Sequence, residues 1–174
     1  MKVKLFIPDD YQPDISCYTP DYLRSRGTRA ILCDIDNTLV TYDDPEPTEK
    51  ILLWTAAMRE AGITVGFVSN NTPERVNRFN ASLGFFAYPD AHKPGTKGIK
   101  QFLAESGCTP DEVAHVGDQI FTDVLMAHAV GVTALLVPPI KDKTTLFFRI
   151  KRLGEKPFMR YYLRKHKNSA QKTL

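Results

Sequence analysis

The sequence predicts an α/β fold three layers deep, with helices on both faces of a central parallel sheet. From residue 29 onward, short β-branched runs alternate with amphipathic stretches of helix length, the pattern of successive βα units rather than hairpins. Glycines close those stretches at 62, 84, 107 and 131, where helices should stop. The length of 174 residues suits a single core, since one domain commonly holds roughly 100 to 200 residues.

Taken in order, residues 1–28 carry Pro8, Pro13 and Pro20 and read as an irregular N-terminal segment packed on the core, with room for one short helix. Residues 29–140 form the core. Strands are expected at Arg29 to Asp34, Ile63 to Ser69, Phe85 to Tyr88, Val113 to Asp118 and Val132 to Val137. Between them, helices are expected at Pro47 to Ala61, Pro73 to Leu83, Thr96 to Ser106 and Ile120 to Val130. Thr72-Pro73 has the form of an N-cap followed by proline at the first helical position. Trp54, with Ile51, Leu52, Thr55 and Met58, is expected to be the buried face of its helix. Residues 141–174 form a basic amphipathic C-terminal segment.

Composition excludes some classes. Hydrophobic residues make up 43% and charged residues 25%, which rules out a fully disordered chain. Cys17, Cys33 and Cys108 are widely spaced with no Cys-x-x-Cys pair, so neither a disulfide framework nor a zinc site is expected. No apolar stretch is long enough for a signal peptide or a membrane span, and the expected setting is the cytoplasm. The net charge of +3 conceals an asymmetry: residues 141–174 carry +9, whereas residues 1–140 carry −6.

Chemistry concentrates at the strand ends, where open α/β sheets bind their ligands. Asp34-Ile-Asp36-Asn-Thr38 follows the apolar run Ala30-Ile31-Leu32 and places two carboxylates where both can face one pocket. Unpaired buried carboxylates cost several kcal/mol, so a cation or hydrogen bonds must compensate them. Ser69-Asn70-Asn71 follows the second strand, His92-Lys93-Pro94 the third, and Gly117-Asp118-Gln-Ile-Phe-Thr-Asp123 the fourth. His115 lies inside a strand and reads as a satisfied core residue, and Cys33 as a packing one.

Together these four stretches resemble, in order and spacing, the motifs of the haloacid-dehalogenase (HAD) superfamily of phosphohydrolases. The resemblance covers residues 29 to 137 and implies a Rossmann-like HAD core, with Asp34 as a nucleophile that forms an aspartyl-phosphate. A carboxylate attacking an anionic phosphate meets charge repulsion, so a hard cation, Mg²⁺, is expected, held by Asp34, Asp118 and the backbone carbonyl of Asp36. Asp123 would either bind that ion or orient its neighbours. Asp36 would protonate the leaving alkoxide and then deprotonate the hydrolytic water. Thr38, which secures the turn presenting Asp36, would line the phosphate site with Ser69, Asn70 and the catalytic cation Lys93.

Only residues 39–62 separate Thr38 from the second strand, and only residues 70–92 separate Ser69 from Lys93. That leaves no room for a cap domain, and in this superfamily a missing cap implies an open site. The basic tail interleaves aromatics with cations in Phe147 to Leu153 and Pro157 to Lys165, the composition of a segment resting on an anionic membrane surface. The whole pattern resembles the bacterial YqeG-type group of capless, subclass III (IIIA-type) HAD phosphatases. That group is similar to the mitochondrial phosphatases that convert phosphatidylglycerophosphate to phosphatidylglycerol, so the resemblance implies a phospholipid headgroup as substrate and a peripheral position on the membrane. Two other readings stand beside it: a phosphatase of nucleic-acid ends or soluble metabolites, and a regulatory binding module without catalysis. On the leading reading no nucleic-acid partner is expected.

Overall fold

In the computed structural model the chain forms, in order, β1 (Asp10–Tyr11), α1 (Pro20–Ser25), β2 (Ala30–Cys33), α2 (Glu49–Glu60), β3 (Thr64–Val68), α3 (Pro73–Asn80), β4 (Phe86–Tyr88), α4 (Lys97–Ser106) and β5 (Val113–Gly117). A π-helical turn (Ile120–Val124) then leads into α5 (Leu125–Ala129), β6 (Thr133–Leu136) and α6 (Leu146–Gln171). The structure describes the backbone of residues 3–141 and 146–171, and the side chains of residues 4–141 and 153–166.

All six strands pair in parallel, in the order β1-β6-β5-β2-β3-β4. The alternation of side chains along the strands sets the layers. Ile31 and Cys33 of β2 face one side and pack with Ile51, Trp54 and Met58 of α2 and with Val76 and Phe79 of α3. Ala30 and Leu32 face the other side and pack with Ile99 and Phe102 of α4 and with Met126 and Ala127 of α5. Because both faces are buried, the strands read as near-continuous apolar runs. Each large apolar side chain so buried contributes about 1.5–3 kcal/mol.

Three features depart from expectation. β1 is a sixth strand that joins the sheet edge with Asp10 opposite Leu135; two residues, Asp-Tyr, carry no periodicity from which a strand could be read. Leu52 is 41% exposed instead of lying on the buried face of α2, because the α2 residues in the core are Ile51, Trp54, Thr55 and Met58. The continuous helix expected over Ile120 to Val130 begins as a π-helical turn. There the N–H groups of both Asp123 and Val124 donate to the Gln119 carbonyl, which widens the turn and swings Asp123 inward.

α6 lies along the β1 edge. Its one acid within residues 153–166, Glu155, is buried and accepts from the Ile120 N–H at 2.8 Å. Phe158 packs in a cluster with Phe6 and Phe121, edge-on to the latter, and the Tyr162 hydroxyl accepts from the Tyr11 N–H at 3.0 Å while facing Asp10. The side chains of the first half of the aromatic-basic stretch, Phe147 to Arg152, lie outside the described residues. Among the described residues no helix is long and apolar enough to cross a membrane.

The crossover from β2 to β3 contains only residues 34–48 and α2, and that from β3 to β4 contains only α3. β2 lies between β3 and β5. The chain winds away from β2 first on one side and then on the other, which opens a crevice at the carboxyl ends of β2 and β5.

Candidate active site

Asp34 extends β2 into that crevice, and its N–H still donates to the Val116 carbonyl of β5. The chain then turns sharply. Asn37 takes the left-handed conformation at φ 72°, a region where asparagine is among the few tolerated residues. Its amide is pinned to the backbone of Lys141 at 2.7 and 3.0 Å. This turn brings Thr38 back so that its hydroxyl donates to Asp34 Oδ2 at 3.0 Å. Thr38 therefore touches Asp34 directly, in addition to shaping the turn that presents Asp36.

Lys93 arrives from beyond β4. Its ammonium lies 2.5 Å from Asp34 Oδ1 and 2.7 Å from Asp123 Oδ1, with all three side chains buried. The Lys93 N–H donates to Asn70 Oδ1 at 2.6 Å, so Asn70 positions the lysine's backbone. Asp123 also accepts from the Gln119 N–H and the Thr122 hydroxyl. His115, buried as expected, sits between the Leu32 carbonyl at 2.9 Å and Asp123 at 3.2 Å. Gly117 makes room for this arrangement: a Cβ there would fall 2.3 Å from Asp123 Cγ.

Asp36 faces a different set of donors. Oδ2 accepts from Asn71 Nδ2 at 3.1 Å, with the Ser69 hydroxyl at 3.5 Å, and Oδ1 accepts from Arg75 Nη2 at 3.0 Å. Of the residues singled out from the sequence, Asp34, Thr38, Lys93, Asp118 and Asp123 thus gather at one centre. Asp36 and Ser69 meet beside it, and Asn70 supports it from behind.

Burial pushes the Asp34 carboxyl up to about 7: Lys93 opposes the shift, while the charges of Asp123 and Asp118 add to it. Asp123 moves the other way. Burial would raise it, but Lys93 and His115 together outweigh burial and hold it well below the usual carboxylate range. Burial also works against the Lys93 ammonium, yet Asp123 and Asp34 raise it above an ordinary lysine. The pair is therefore ionised at neutral pH.

Carboxylate oxygens of Asp34, Asp118 and Asp123 all lie within 4.8 Å of one another. Three buried carboxylates thus share one cluster with the single ammonium of Lys93. All the donors are hard oxygens, with no thiolate and no imidazole in the group. That set fits a small hard divalent ion such as Mg²⁺.

Sequence reasoning missed three residues here. Arg75 and Asn71 hold Asp36, and the Tyr42 phenol is raised by burial and then by the charges of Asp118, Asp34 and Asp36. A lone arginine or tyrosine in a loop or on a helix has no sequence signal that would direct it to a site. Only Asn71 stands in a motif, Ser69-Asn70-Asn71, beside Asn70.

The haloacid dehalogenase-like hydrolase family model matches residues 42–131. A relative from Bacillus subtilis (strain 168), named "Probable phosphatase YqeG", is 33% identical over 165 residues, covering 95% of this chain and 96% of its own. Among solved structures, a HAD phosphatase from Thermococcus onnurineus superposes with a TM-score of 0.55 at 16% identity, over 68% of this chain and 90% of its own. A cobalt-bound deoxy-D-mannose-octulosonate 8-phosphate phosphatase from Haemophilus influenzae superposes with a TM-score of 0.52 at 18% identity, over 79% and 90%. The structural likenesses establish the shared fold, and the full-length relative together with the family model establishes descent: this chain belongs to the haloacid dehalogenase-like hydrolases.

Proposed function

We propose that the protein is a capless, subclass III HAD phosphatase that hydrolyses a phosphomonoester through an aspartyl-phosphate on Asp34, with Mg²⁺ as cofactor and phosphatidylglycerophosphate, displayed on an anionic membrane surface, as substrate. The observation that carries the reaction is the Asp34 carboxylate, 2.5 Å from the buried Lys93 ammonium and within 4.8 Å of Asp118 and Asp123, with Asp36 two residues on. The Bacillus relative, itself named a phosphatase, supports the same class.

In the first step an Asp34 oxygen attacks phosphorus, the bond to the leaving oxygen breaks, and Asp36 delivers a proton to that oxygen. In the second step Asp36 takes a proton from water, whose oxygen attacks the same phosphorus and releases phosphate and the Asp34 carboxylate. Lys93 neutralises charge as it spreads over the phosphoryl oxygens. Bound Mg²⁺ would offset the repulsion between Asp34 and the incoming phosphate.

For the substrate, two surface features lend support. A largely apolar groove of about 210 Å³ runs from Asp118 past Leu136, Val137, Pro139 and Met159 to Lys156 of α6. Alongside it the exposed face of α6 presents Arg160, Arg164 and Lys165 with Leu153, Tyr161 and Leu163 among them, while Glu155 is turned inward. An acyl chain or glycerol unit suits the groove, and an anionic lipid surface suits the helix face.

The test is a panel of phosphatidylglycerophosphate in mixed vesicles, sugar phosphates, end-phosphorylated oligonucleotides and an aryl phosphate, each assayed with Mg²⁺ and with chelator. Metal-dependent turnover with the lipid preferred is expected. Turnover of soluble esters alone would remove the lipid substrate but leave the reaction, and undiminished turnover in chelator would remove the cation.

A further inference from the structure

Asp36 is gripped by a cation that belongs to none of the four strand-end motifs. Arg75 is the third residue of α3. Its guanidinium reaches in two directions: Nη2 to Asp36 Oδ1 at 3.0 Å, and Nη1 to the Pro45 carbonyl at 2.9 Å, with the Thr41 carbonyl 3.5 Å from Nη2. The Arg75 and Asp36 side chains are only 14% and 7% exposed, so solvent screens the pair little. One planar group thus joins the acid–base candidate to both ends of segment 41–45, the stretch that carries Tyr42 over the acidic cluster.

The arrangement is more elaborate than packing requires. Among the described residues, Arg75 Nε is the one buried side-chain nitrogen or oxygen without a hydrogen-bond partner. Leaving such a donor unmatched costs about 1–3 kcal/mol, and a shorter side chain at the end of α3 would avoid it. Lysine could not replace the arginine, because a single ammonium is a point charge, whereas the guanidinium directs separate donors along fixed lines. Without Arg75, Oδ1 of Asp36 would lose its one side-chain donor among the described residues, leaving the Asn71 and Ser69 contacts at Oδ2.

We propose that Arg75 is a positioning residue for phosphoryl transfer: it sets the Asp36 carboxylate and segment 41–45 in one geometry, so that proton delivery and the wall of the site are aligned together. The proposal rests on the phosphatase reading above. Misplacement of a catalytic group by about 1 Å can cost on the order of 10²-fold, and the loss should fall on the step that needs the proton.

The experiment pairs kinetics with amide hydrogen exchange. Arg75→Ala and Arg75→Lys are made alone and with Asp36→Asn, then assayed with Mg²⁺ on an aryl phosphate and on glycerol phosphate. Arg75→Ala should lower kcat on glycerol phosphate by about 10²-fold and on the aryl ester by less than about 10-fold, with KM little changed. In the Asp36→Asn background the same substitution should cause a smaller loss on the aryl ester than it does in the wild type, because the part that acts through the carboxylate is already gone and only the hold on segment 41–45 remains to be lost. Arg75→Lys should recover less than half of the lost activity. Exchange at the amides of residues 41–44 and 46 should rise in Arg75→Ala. Losses that multiply with Asp36→Asn, equal losses on both esters, or unchanged exchange would each overturn the proposal. If the wild-type protein turns over neither these esters nor phosphatidylglycerophosphate in mixed vesicles, the phosphatase reading fails and the catalytic role of Arg75 fails with it, and exchange alone then decides whether the clamp on 41–45 exists.

Discussion

On the proposed mechanism the attack on phosphorus rests on one carboxylate, that of Asp34. Asp34→Asn would preserve shape and remove that nucleophile, so turnover should fall by at least about 10³-fold. The melting temperature should change by only a few degrees, since burial already disfavours that charge. Appreciable residual turnover in a folded variant would remove Asp34 from its role. Gly117→Ala tests the packing behind the cluster. Its Cβ would fall 2.3 Å from Asp123 Cγ, so a loss of about 1–3 kcal/mol in stability is expected, together with weakened activity; wild-type melting and turnover would refute that account. The gathering of Asp34, Asp36, Lys93, Asp118 and Asp123 was legible because Asp34, Asp36 and Asp118 follow buried strands within a few residues, while Lys93 and Asp123 stand in the loop and the turn just beyond the strands β4 and β5. Arg75, Asn71 and Tyr42 were not, because their directions depend on how α3 and segment 41–45 settle against β2.

Among the elements, the N-terminal segment is the least obvious from sequence and is held by titratable contacts. His128, in the last turn of α5, places Nδ1 3.0 Å from the Leu5 carbonyl and Nε2 3.0 Å from Asp9 Oδ2, and Asp9 also accepts from the Ala134 N–H. Both ring nitrogens face acceptors, which suits the doubly protonated ring. Burial works against the His128 charge, but the Asp9 and Leu5 contacts raise its pKa; burial likewise works against the Asp9 charge, but His128 and the Ala134 N–H lower its pKa. A raised histidine contributes stability that is complete below its ordinary 6.5 and is lost as pH rises through the folded value. A lowered aspartate contributes stability that is complete above its ordinary 3.8 and is lost as pH falls through the folded value. The clasp is therefore fully formed between those two values. Urea midpoints of the wild type and His128→Gln should differ most near pH 5.5, between the two ordinary values, and converge as pH rises through the folded value of the histidine. A constant gap would show that the histidine acts by packing alone.

At the scale of the whole molecule, charge is divided between a net acidic core, with its acidic crevice, and a cationic helix beside it. Anionic vesicles should sediment the protein and neutral vesicles should not, with release at high salt. Reversing Arg160 and Arg164 to glutamate should weaken that binding by at least about 30-fold, taking about 1 kcal/mol per cation. Both residues are exposed and stand outside the acidic cluster, so turnover of a soluble aryl phosphate should be unchanged. Equal binding by the double variant would exclude this face. What the sequence determined by itself is local: strand and helix periods, the three layers that follow from alternation, the acids at the strand exits and the charge of the tail. These follow from residues a few positions apart, where backbone geometry leaves a repeating trace. The tertiary structure alone decided that β2 and β5 adjoin at the crevice, that β1 closes the sheet edge under Tyr162, that Glu155 reaches the turn carrying Asp123, and that Arg75 grips Asp36. Each joins positions distant along the chain, and such contacts follow from the packing of whole elements, which imposes no period on the sequence.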